Sequence, residues 1–457
     1  KELLIKAIEI QPKNVTAIHN LGTCYKELKQ LEEAKKHYNK VLEIDPNHTN
    51  ANYNLGLIYY DLKDLKNAKN YLKKTIEIQK NYGIAFFSLG NVHTDLKEYN
   101  EAMSCYQKAI EINPNIVGAH NNLGLIYRTL NDLENAVKSY RSAIKIQPKH
   151  GGAYHNLALA YKELGKFDQS IVSHQKAIEY EPENLAHYYY ISELKKDILN
   201  QNLKNKIENF FSGNNLTKES TAFGNYLLAK YERKSKNYKK ELKFLIEGHK
   251  NFYDSRKKKF ELGVKYCFED VIQIEKEVKV EKTNSDKYNE IKPIFIIGVP
   301  RCGSTLIEKI IASGSQYIPI GEETGIIDAV VKNLINHKQS LKSGIENFQT
   351  KIVETYKQKG LVQEKSNYMF TDKSLENFFY IDIIKEIFPQ AKVINCRRNA
   401  LSSIMSTLKN NLTFLAWAHN LEHIFKYYDI YYQMIKNFKK TFPNFIYDLQ
   451  YEKFVSN

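Results

Sequence analysis

Residues 293–306 have the residue types in this chain best suited to binding a charged group. They read Pro-Ile-Phe-Ile-Ile-Gly-Val-Pro-Arg-Cys-Gly-Ser-Thr-Leu. The apolar run 294–297 predicts a buried strand, the Gly/Pro segment after it predicts a loop, and residues 306–312 have the composition of a helix. A loop that leads from a strand into a helix gathers unpaired N–H groups and the positive end of the helix dipole. The stretch therefore predicts a cradle for a phosphate or sulfate group.

The cradle has the glycine spacing of a nucleotide P-loop but lacks its lysine. Four residues separate Gly298 from Gly303, and in a P-loop the next residue is a lysine that holds the β- and γ-phosphates. Here Ser304 and Thr305 follow instead, which argues against an ordinary ATPase or kinase. Arg301, inside the loop, offers a planar fork of donors for a phosphate or sulfate.

The chain has 457 residues and a formal net charge of +15 at pH 7. Most of the excess is lysine spread along the chain, and no nucleic-acid-binding motif accompanies it, so we expect no nucleic-acid partner.

The five cysteines form no Cys-x-x-Cys pair, which predicts neither a disulfide framework nor a zinc site and indicates a reducing compartment, the cytoplasm. No transmembrane run or signal peptide is visible, although Lys1 falls in the middle of a repeat. The sequence does not define an oligomeric state.

Residues 1–182 repeat with a period of 34 residues. Small residues and prolines keep this spacing, and Lys80, Ala158 and Ser170 fill the empty positions. The periodic residues are Pro12, Pro46, Pro114, Pro148 and Pro182; Gly22, Gly56, Gly90 and Gly124; and Ala34, Ala68, Ala102 and Ala136. Small residues let paired helices approach closely, and proline ends the second helix.

This pattern resembles the tetratricopeptide repeat, as in Asn20-Leu21-Gly22 with Tyr25, Ala34 and Pro46. The resemblance implies an all-α superhelix over residues 1–182, with five full repeats and a partial N-terminal one. The concave face of such a superhelix binds a protein or peptide, and the alternative is that the array only packs on its own C-terminal domain or dimerises. Residues 183–290 predict a helical connector that contains one more helical pair, without the usual glycine, and ends in a polar linker at 278–290.

After Pro293 the pattern changes to short apolar runs that alternate with helices. The predicted strands are 294–297, 317–320, 368–371, 392–396 and 445–449, and the predicted helices are 305–313, 323–335, 374–387, 399–409 and 414–441. This alternation predicts an α/β domain with a parallel sheet over residues 291–457. Ligands of such sheets bind outside the carboxyl ends of the strands, where the candidate residues fall.

Two motifs in this domain resemble those of sulfotransferases that use 3′-phosphoadenosine 5′-phosphosulfate (PAPS). Gly298-Val-Pro-Arg-Cys-Gly-Ser-Thr305 is similar to their 5′-phosphosulfate loop, and Cys396-Arg-Arg-Asn-Ala-Leu-Ser-Ser-Ile-Met-Ser406 is similar to their 3′-phosphate motif. Gly321-Glu-Glu-Thr324 resembles the segment of tyrosylprotein sulfotransferases that carries the catalytic glutamate. Asp372-Lys373 and Phe388-Pro-Gln-Ala-Lys392 match bacterial sulfotransferases fused to tetratricopeptide repeats. The α/β segment is short for this family, so we expect the domain to continue beyond Asn457.

The resemblance implies a role for each matching residue. The donor-binding residues are Arg301, Cys302, Gly303, Ser304, Thr305, Arg398 and Ser406. Of these, Arg398 and Ser406 would hold the 3′-phosphate, and Lys373 would reach the bridging or leaving oxygen. Sulfuryl transfer needs in-line positioning and cations or N–H donors rather than a metal. Arg397 is predicted to form a structural or solvent-facing ion pair rather than to bind the ligand, because successive strand residues point to opposite faces.

The general base is either Glu322 or Glu323. Counting without gaps from Arg301 places Glu322 at the family position, whereas matching Gly-Glu-Glu-Thr by letter places Glu323 there, and we favour Glu322. The structural alternative is that both acids only stabilise a helix N-terminus. Any base must reach the proton of the acceptor hydroxyl.

One competing motif is rejected. The segment His419-Asn-Leu-Glu-His423 fits His-x-x-Glu-His, an inverted zinc-protease signature. Its apolar neighbours predict a core helix, and no convincing third ligand follows. The sequence therefore predicts a PAPS-dependent sulfotransferase, without a metal, that acts on a hydroxyl-bearing acceptor on a protein or glycan. The alternatives are a catalytically inactive repeat scaffold and a P-loop nucleotide kinase.

Overall fold

The computed structural model describes residues 1–213, 216–273, 290–314, 317–336, 345–362 and 368–456. The chain divides into two compact units, Lys1–Leu203 and Lys204–Asn457. The predicted polar linker at 278–290 lies, except for Glu290, outside the described residues. None of the described helices combines the length and apolar composition needed to cross a lipid bilayer.

The first unit consists of helical hairpins. Its helices are α1 (Glu2–Ile10), α2 (Val15–Glu27), α3 (Leu31–Ile44), α4 (Thr49–Asp61), α5 (Leu65–Ile78), α6 (Gly83–Asp95), α7 (Tyr99–Ile112), α8 (Val117–Thr129), α9 (Leu133–Ile146), α10 (Gly151–Glu163), α11 (Phe167–Tyr180) and α12 (Leu185–Leu194). The first helices of successive pairs begin 34 residues apart, from Val15 to Leu185. The predicted repeat is therefore confirmed.

Glycine allows the two helices of a hairpin to approach closely. A Cβ atom on Gly90 would lie 2.6 Å from Cε1 of Tyr106, and one on Gly124 would lie 2.7 Å from Cε1 of Tyr140. Both tyrosines are fully buried, so the ring fills the space that a larger residue would take. The predicted role of the small residues is confirmed.

The second unit begins with helices and continues into a parallel sheet. Its first helices are α13 (Gln201–Ser212), which starts just before the unit boundary, α14 (Lys218–Lys234), α15 (Tyr238–Ser255) and α16 (Lys257–Lys265), which runs into a π-helical turn at Tyr266–Asp270. Helices α14 and α15 form the predicted extra pair. Here the glycine is on the second helix, since a Cβ on Gly248 would lie 2.7 Å from Cε1 of Tyr226.

The sheet has four parallel strands in the order β2-β1-β3-β4. They are β1 (Ile294–Gly298), β2 (Thr371–Asp372), β3 (Lys392–Arg397) and β4 (Ile446–Gln450). The helices around it are α17 (Ser304–Ala312), α18 (Ile326–Asn336), α19 (Ile345–Gln358), α20 (Ile381–Ile387), α21 (Ala400–Lys409), α22 (Leu421–Thr441) and α23 (Tyr451–Ser456). Every residue of β1 is buried, which is typical of a central parallel strand. The predicted α/β parallel-sheet class is confirmed.

The predicted strand at 317–320 is wrong. The main chain of this segment accepts hydrogen bonds from the β2 segment but donates none to the main chain of β2. The carbonyl of Pro319 accepts from the N–H of Thr371 at 3.0 Å, and the carbonyl of Gly321 accepts from the N–H of Lys373 at 3.0 Å. Pro319 has no N–H to donate in return, and the N–H of Gly321 bonds to the Thr371 side chain at 3.2 Å. Of the predicted strand at 368–371 only Thr371 lies in β2, which continues to Asp372.

Two predicted helices are interrupted. The segment 374–387 starts as a 3-10 turn at Leu375–Tyr380 before α20, and the segment 414–441 is divided at Asn420. The Asn420 side-chain oxygen accepts from the N–H groups of Glu422 at 2.8 Å and His423 at 3.2 Å. Asparagine therefore caps α22 and ends the 3-10 turn before it. Helix α19 was not predicted.

Candidate active site

The loop between β1 and α17 is tightly folded. Arg301 and Gly303 have positive φ angles of 68° and 96°, which turn the chain sharply into the helix. Glycine is required at position 303 for a second reason, since a Cβ there would lie 2.2 Å from Cδ2 of Tyr451. The first N–H groups of a helix have no partner within it. The loop and the start of α17 therefore form the strand–loop–helix arrangement expected of an anion cradle.

The Cys302 side chain points away from this cradle into the protein. It has no exposed surface, and a Cβ on Gly298 would lie 2.6 Å from its sulfur and 2.8 Å from the Cys396 carbonyl oxygen. A hydrogen bond between the two thiols lowers the pKa of Cys302 and raises that of Cys396. Only the main chain of Cys302 is placed to contact a ligand in the cradle.

The two sequence motifs meet at the carboxyl ends of β1 and β3. Arg301 donates from Nε to Oγ of Ser406 at 3.2 Å, and Arg398 donates from Nη1 to the carbonyl oxygen of Arg301 at 3.0 Å. The Arg398 guanidinium also lies over the Tyr451 ring, 5.0 Å from its centre. A guanidinium has five N–H donors, so both arginines have donors left for an anion.

Arg397 takes a different direction from its neighbour Arg398. It donates to a carboxylate oxygen of Asp448 at 3.2 Å, and the same carboxylate pairs with Lys439 and accepts from Asn395 at 2.8 Å. The predicted ion pair of Arg397 is confirmed.

Lys373 is a buried cation at the end of β2. Its side chain is 3% exposed, and its Nζ donates to Oγ1 of Thr305 at 3.0 Å and to a carboxylate oxygen of Glu322 at 2.6 Å. A second carboxylate, that of Glu308 on α17, lies 3.8 Å away. Burial raises the pKa of Glu308. The ammonium is therefore held between the start of α17 and the segment that carries Glu322.

Asp372 fixes the position of Lys373. Its carboxylate is fully buried and accepts five hydrogen bonds from four residues of the surrounding segments. The donors are the hydroxyls of Thr324 (2.6 Å), Tyr356 (2.5 Å) and Ser374 (2.7 Å), the N–H of Ser374 (3.0 Å) and the side-chain amide of Asn377 (3.1 Å). The residue before Lys373 thus ties β2 to Thr324, next to Glu323.

Replacing Asp372 with alanine is expected to destabilise the second unit by about 3–5 kcal/mol, because buried donors such as the Tyr356 hydroxyl would lose their acceptor. The free energy of unfolding in urea measures this loss. Asp429, an exposed aspartate on α22, is the matched control, and Asp429→Ala should change stability by no more than about 0.5 kcal/mol. Equal effects of the two substitutions would contradict the assigned role of Asp372.

A cavity of about 310 Å³ lies at this edge of the sheet. The predicted site residues that line it are Arg301, Gly303, Ser304, Thr305, Glu323, Lys373 and Arg398. Three predicted residues do not line it: Cys302, which is buried, Ser406, which accepts a hydrogen bond from Arg301, and Glu322, which accepts one from Lys373. Glu323 reaches the cavity with a positive φ of 48°. A larger cavity of about 490 Å³ between α15 and residues 419–422 contains none of the predicted site residues.

The rejected motif at 419–423 lies in a buried contact with α15. Nε2 of His419 lies 3.2 Å from the Leu412 carbonyl oxygen, and Nδ1 lies 2.9 Å from Nδ1 of His249. Burial lowers the pKa of His419 to about 3 and that of His249 to about 4. His419 thus belongs to the packing of the second unit.

Sequence reasoning missed Glu308 and Tyr451. Glu308 is a charged residue in an apolar stretch of helix, three positions after Thr305 and so on the same helical face. An acid in an apolar helix could have indicated a buried ion pair near Thr305, since a buried acid usually has a partner. Tyr451 carried no signal, because its contact with Gly303 depends on β4 ending beside the cradle.

Comparison with known families agrees with this architecture. Residues 293–457 match the model described as the sulfotransferase family, and residues 14–81, 90–131, 124–165 and 152–184 match tetratricopeptide-repeat models. The chain therefore combines tetratricopeptide repeats with a sulfotransferase-family domain.

The individual relatives are distant. An uncharacterised protein of Aquifex aeolicus is 25% identical over 266 residues, which are 54% of this chain and 34% of that protein, so the chain spans about a third of the length of this curated relative. Among solved structures, MamA is 29% identical, with a TM-score of 0.34, over 35% of this chain and 95% of its own. YrrB, described as a repeat protein with an unusual peptide-binding site, is 24% identical, with a TM-score of 0.36, over 41% of this chain and 96% of its own.

Proposed function

We propose that residues 291–457 transfer the sulfuryl group of PAPS to an acceptor hydroxyl, that residues 183–290 connect this domain to the repeats, and that residues 1–182 bind the acceptor or a partner protein. The observation that carries the proposal is the cavity that places Arg301, Lys373 and Arg398 together at the carboxyl ends of β1, β2 and β3. Three cations beside an N–H cradle suit a ligand with two separate anionic groups.

Each of these residues would have a separate task. Arg398 and Ser406 would bind the 3′-phosphate, while the N–H groups at the start of α17 and the Arg301 side chain would hold the 5′-phosphosulfate. Lys373 would stabilise the charge that develops on the leaving oxygen. Glu322, in contact with Lys373, would take the proton from the acceptor hydroxyl. PAPS supplies the sulfuryl group and leaves as 3′,5′-phosphoadenosine.

The acceptor would be a hydroxyl on a protein or glycan. Helical repeat arrays present extended surfaces for a peptide, and a repeat-bound polypeptide would raise the local concentration of an acceptor that is tethered to it. We also propose a cytoplasmic location, because the five cysteines are free thiols.

Titration calorimetry of 3′,5′-phosphoadenosine tests the donor site. Arg398→Ala should weaken binding by about 10- to 100-fold, since hydrogen bonds to a charged group contribute roughly 1.5–3 kcal/mol. Arg397→Ala is the matched control, because this neighbouring arginine pairs with Asp448, and it should change affinity less than about threefold. ATP, which lacks the 3′-phosphate, should bind more weakly than 3′,5′-phosphoadenosine. A preference for ATP, or equal losses in the two variants, would refute the proposal.

A further inference from the structure

Three histidines converge at the end of the repeat array. His155 lies on α10, His174 on α11 and His187 on α12, and one ring nitrogen from each lies within 4.8 Å of the other two. The ring centres are 5.2–5.8 Å apart. The cluster lies entirely within the first unit, Lys1–Leu203.

The repeat itself does not require histidine at these positions. The equivalent residues of the four preceding repeats follow from the 34-residue period. They are Asn121, Tyr140 and Ala153; Phe87, Tyr106 and Ala119; Tyr53, Leu72 and Ala85; and His19, Tyr38 and Ala51. The third position is alanine in all four, and the second is tyrosine or leucine. Because the same fold forms without histidine at these positions, helix packing does not explain why His174 and His187 are histidines.

Ring nitrogens of all three imidazoles are buried without the partners that buried polar groups normally have. His174 has no exposed surface, and His187 is 1% exposed. Among the described residues, neither ring nitrogen of His174 has a hydrogen-bond partner, and Nδ1 of His155 and Nδ1 of His187 also have none. Leaving such groups unpaired costs free energy, and a bound ion would satisfy them. Burial lowers the pKa of His155 to about 3 and that of His174 to about 2, so both rings are neutral, the form that binds metals.

His187 is also oriented as a metal ligand would be. Its Nε2 lies 3.5 Å from a carboxylate oxygen of Glu181, so it can donate to that carboxylate while Nδ1, which has no hydrogen-bond partner among the described residues, stays available for an ion. The side-chain amide of Asn184 donates to the same carboxylate oxygen at 3.1 Å. Metal-binding histidines typically donate their second nitrogen to a carboxylate in this way, which fixes the ring orientation.

We propose that His155, His174 and His187 form a binding site for a divalent transition-metal ion of the zinc class. Three neutral imidazoles suit Zn²⁺, whereas Mg²⁺ and Ca²⁺ prefer oxygen ligands. Water would complete a tetrahedral set, entering past His155, which is only partly buried. The ion would tie α10, α11 and α12 together at the end of the array.

Metal titration of the full chain, first stripped with a chelator, tests the site. One Zn²⁺ per chain should bind and raise the melting temperature, and Co²⁺ should give the visible absorption of a tetrahedral complex. His174→Tyr and His187→Ala replace each ligand with a residue found at that position in preceding repeats, so both variants should fold and melt cooperatively. Both should lose the Co²⁺ spectrum and the Zn²⁺-induced rise. Glu181→Gln should retain binding with about 10- to 100-fold lower affinity.

His19→Asn is the matched control, because His19 occupies the position equivalent to His155 but has Tyr38 and Ala51 where the site has His174 and His187. This variant should bind Zn²⁺ like the original chain. Absence of Zn²⁺ binding by the original chain would overturn the proposal, and so would an unchanged affinity and Co²⁺ spectrum in His174→Tyr and His187→Ala. The readouts do not involve PAPS, so they are independent of the proposed activity.

Discussion

Replacing Lys373 with methionine is expected to lower the turnover of PAPS by about 10³-fold, while 3′,5′-phosphoadenosine still binds. Removal of one preorganised donor to developing charge typically costs 10²–10³ in kcat, and Lys373 also contacts the candidate base Glu322 at 2.6 Å. The measurement is release of 3′,5′-phosphoadenosine from PAPS, with a tyrosine-containing peptide as the probe acceptor. Lys309→Met is the control, because Lys309 is an exposed residue of α17.

Lys373 also balances a buried carboxylate, so the loss of activity must be separated from a loss of folding. Without the ammonium, Glu308 would remain buried without the cation that now lies 3.8 Å from it, which is strongly destabilising. The double variant Lys373→Met/Glu308→Gln removes both charges and should recover stability without recovering turnover. Full turnover in this variant would show that Lys373 has only a structural role.

The second large effect is expected at Glu322. Glu322→Gln should lower kcat by about 10²–10⁴-fold, the usual contribution of a general base, with little change in the affinity for 3′,5′-phosphoadenosine. Glu323→Gln is the natural comparison, since Glu323 lines the cavity but has a distorted backbone with a φ of 48°. We expect its effect to stay within about tenfold, because Glu322 and not Glu323 contacts Lys373.

The pH dependence of kcat distinguishes a base from a residue that only binds. Loss of the base should remove the acidic limb of the profile, because protonation of the carboxylate would no longer stop proton transfer. The opposite result, a severe loss in Glu323→Gln with a mild one in Glu322→Gln, would reverse the assignment. Such a result would favour Glu323, the residue found by matching Gly-Glu-Glu-Thr by letter, over Glu322, the residue found by counting from Arg301.

Local rules explain why much of this protein was predictable. The helical repeat depends on contacts between residues close in sequence, such as Gly90 with Tyr106, and these recur every 34 residues. The cradle depends on one strand, one loop and one helix start, all within residues 294–312. Prediction failed where a single residue changed the hydrogen bonding inside an otherwise regular pattern. Pro319 removed a donor from the predicted strand at 317–320, and Asn420 capped α22 inside one long apolar pattern.

The sequence by itself determined the repeat array, the alternation that forms a parallel sheet, and the loop and arginine motifs, because periodicity and residue type are local properties. Only the tertiary structure decided what those residues touch. In the folded protein Cys302 is buried against Cys396, and Glu308 lies near Lys373. Arg397 pairs with Asp448, whereas its neighbour Arg398 lines the cavity. The tertiary structure also brought three histidines from three helices to one point. Contacts between distant segments depend on how elements pack, and neither composition nor spacing encodes that packing.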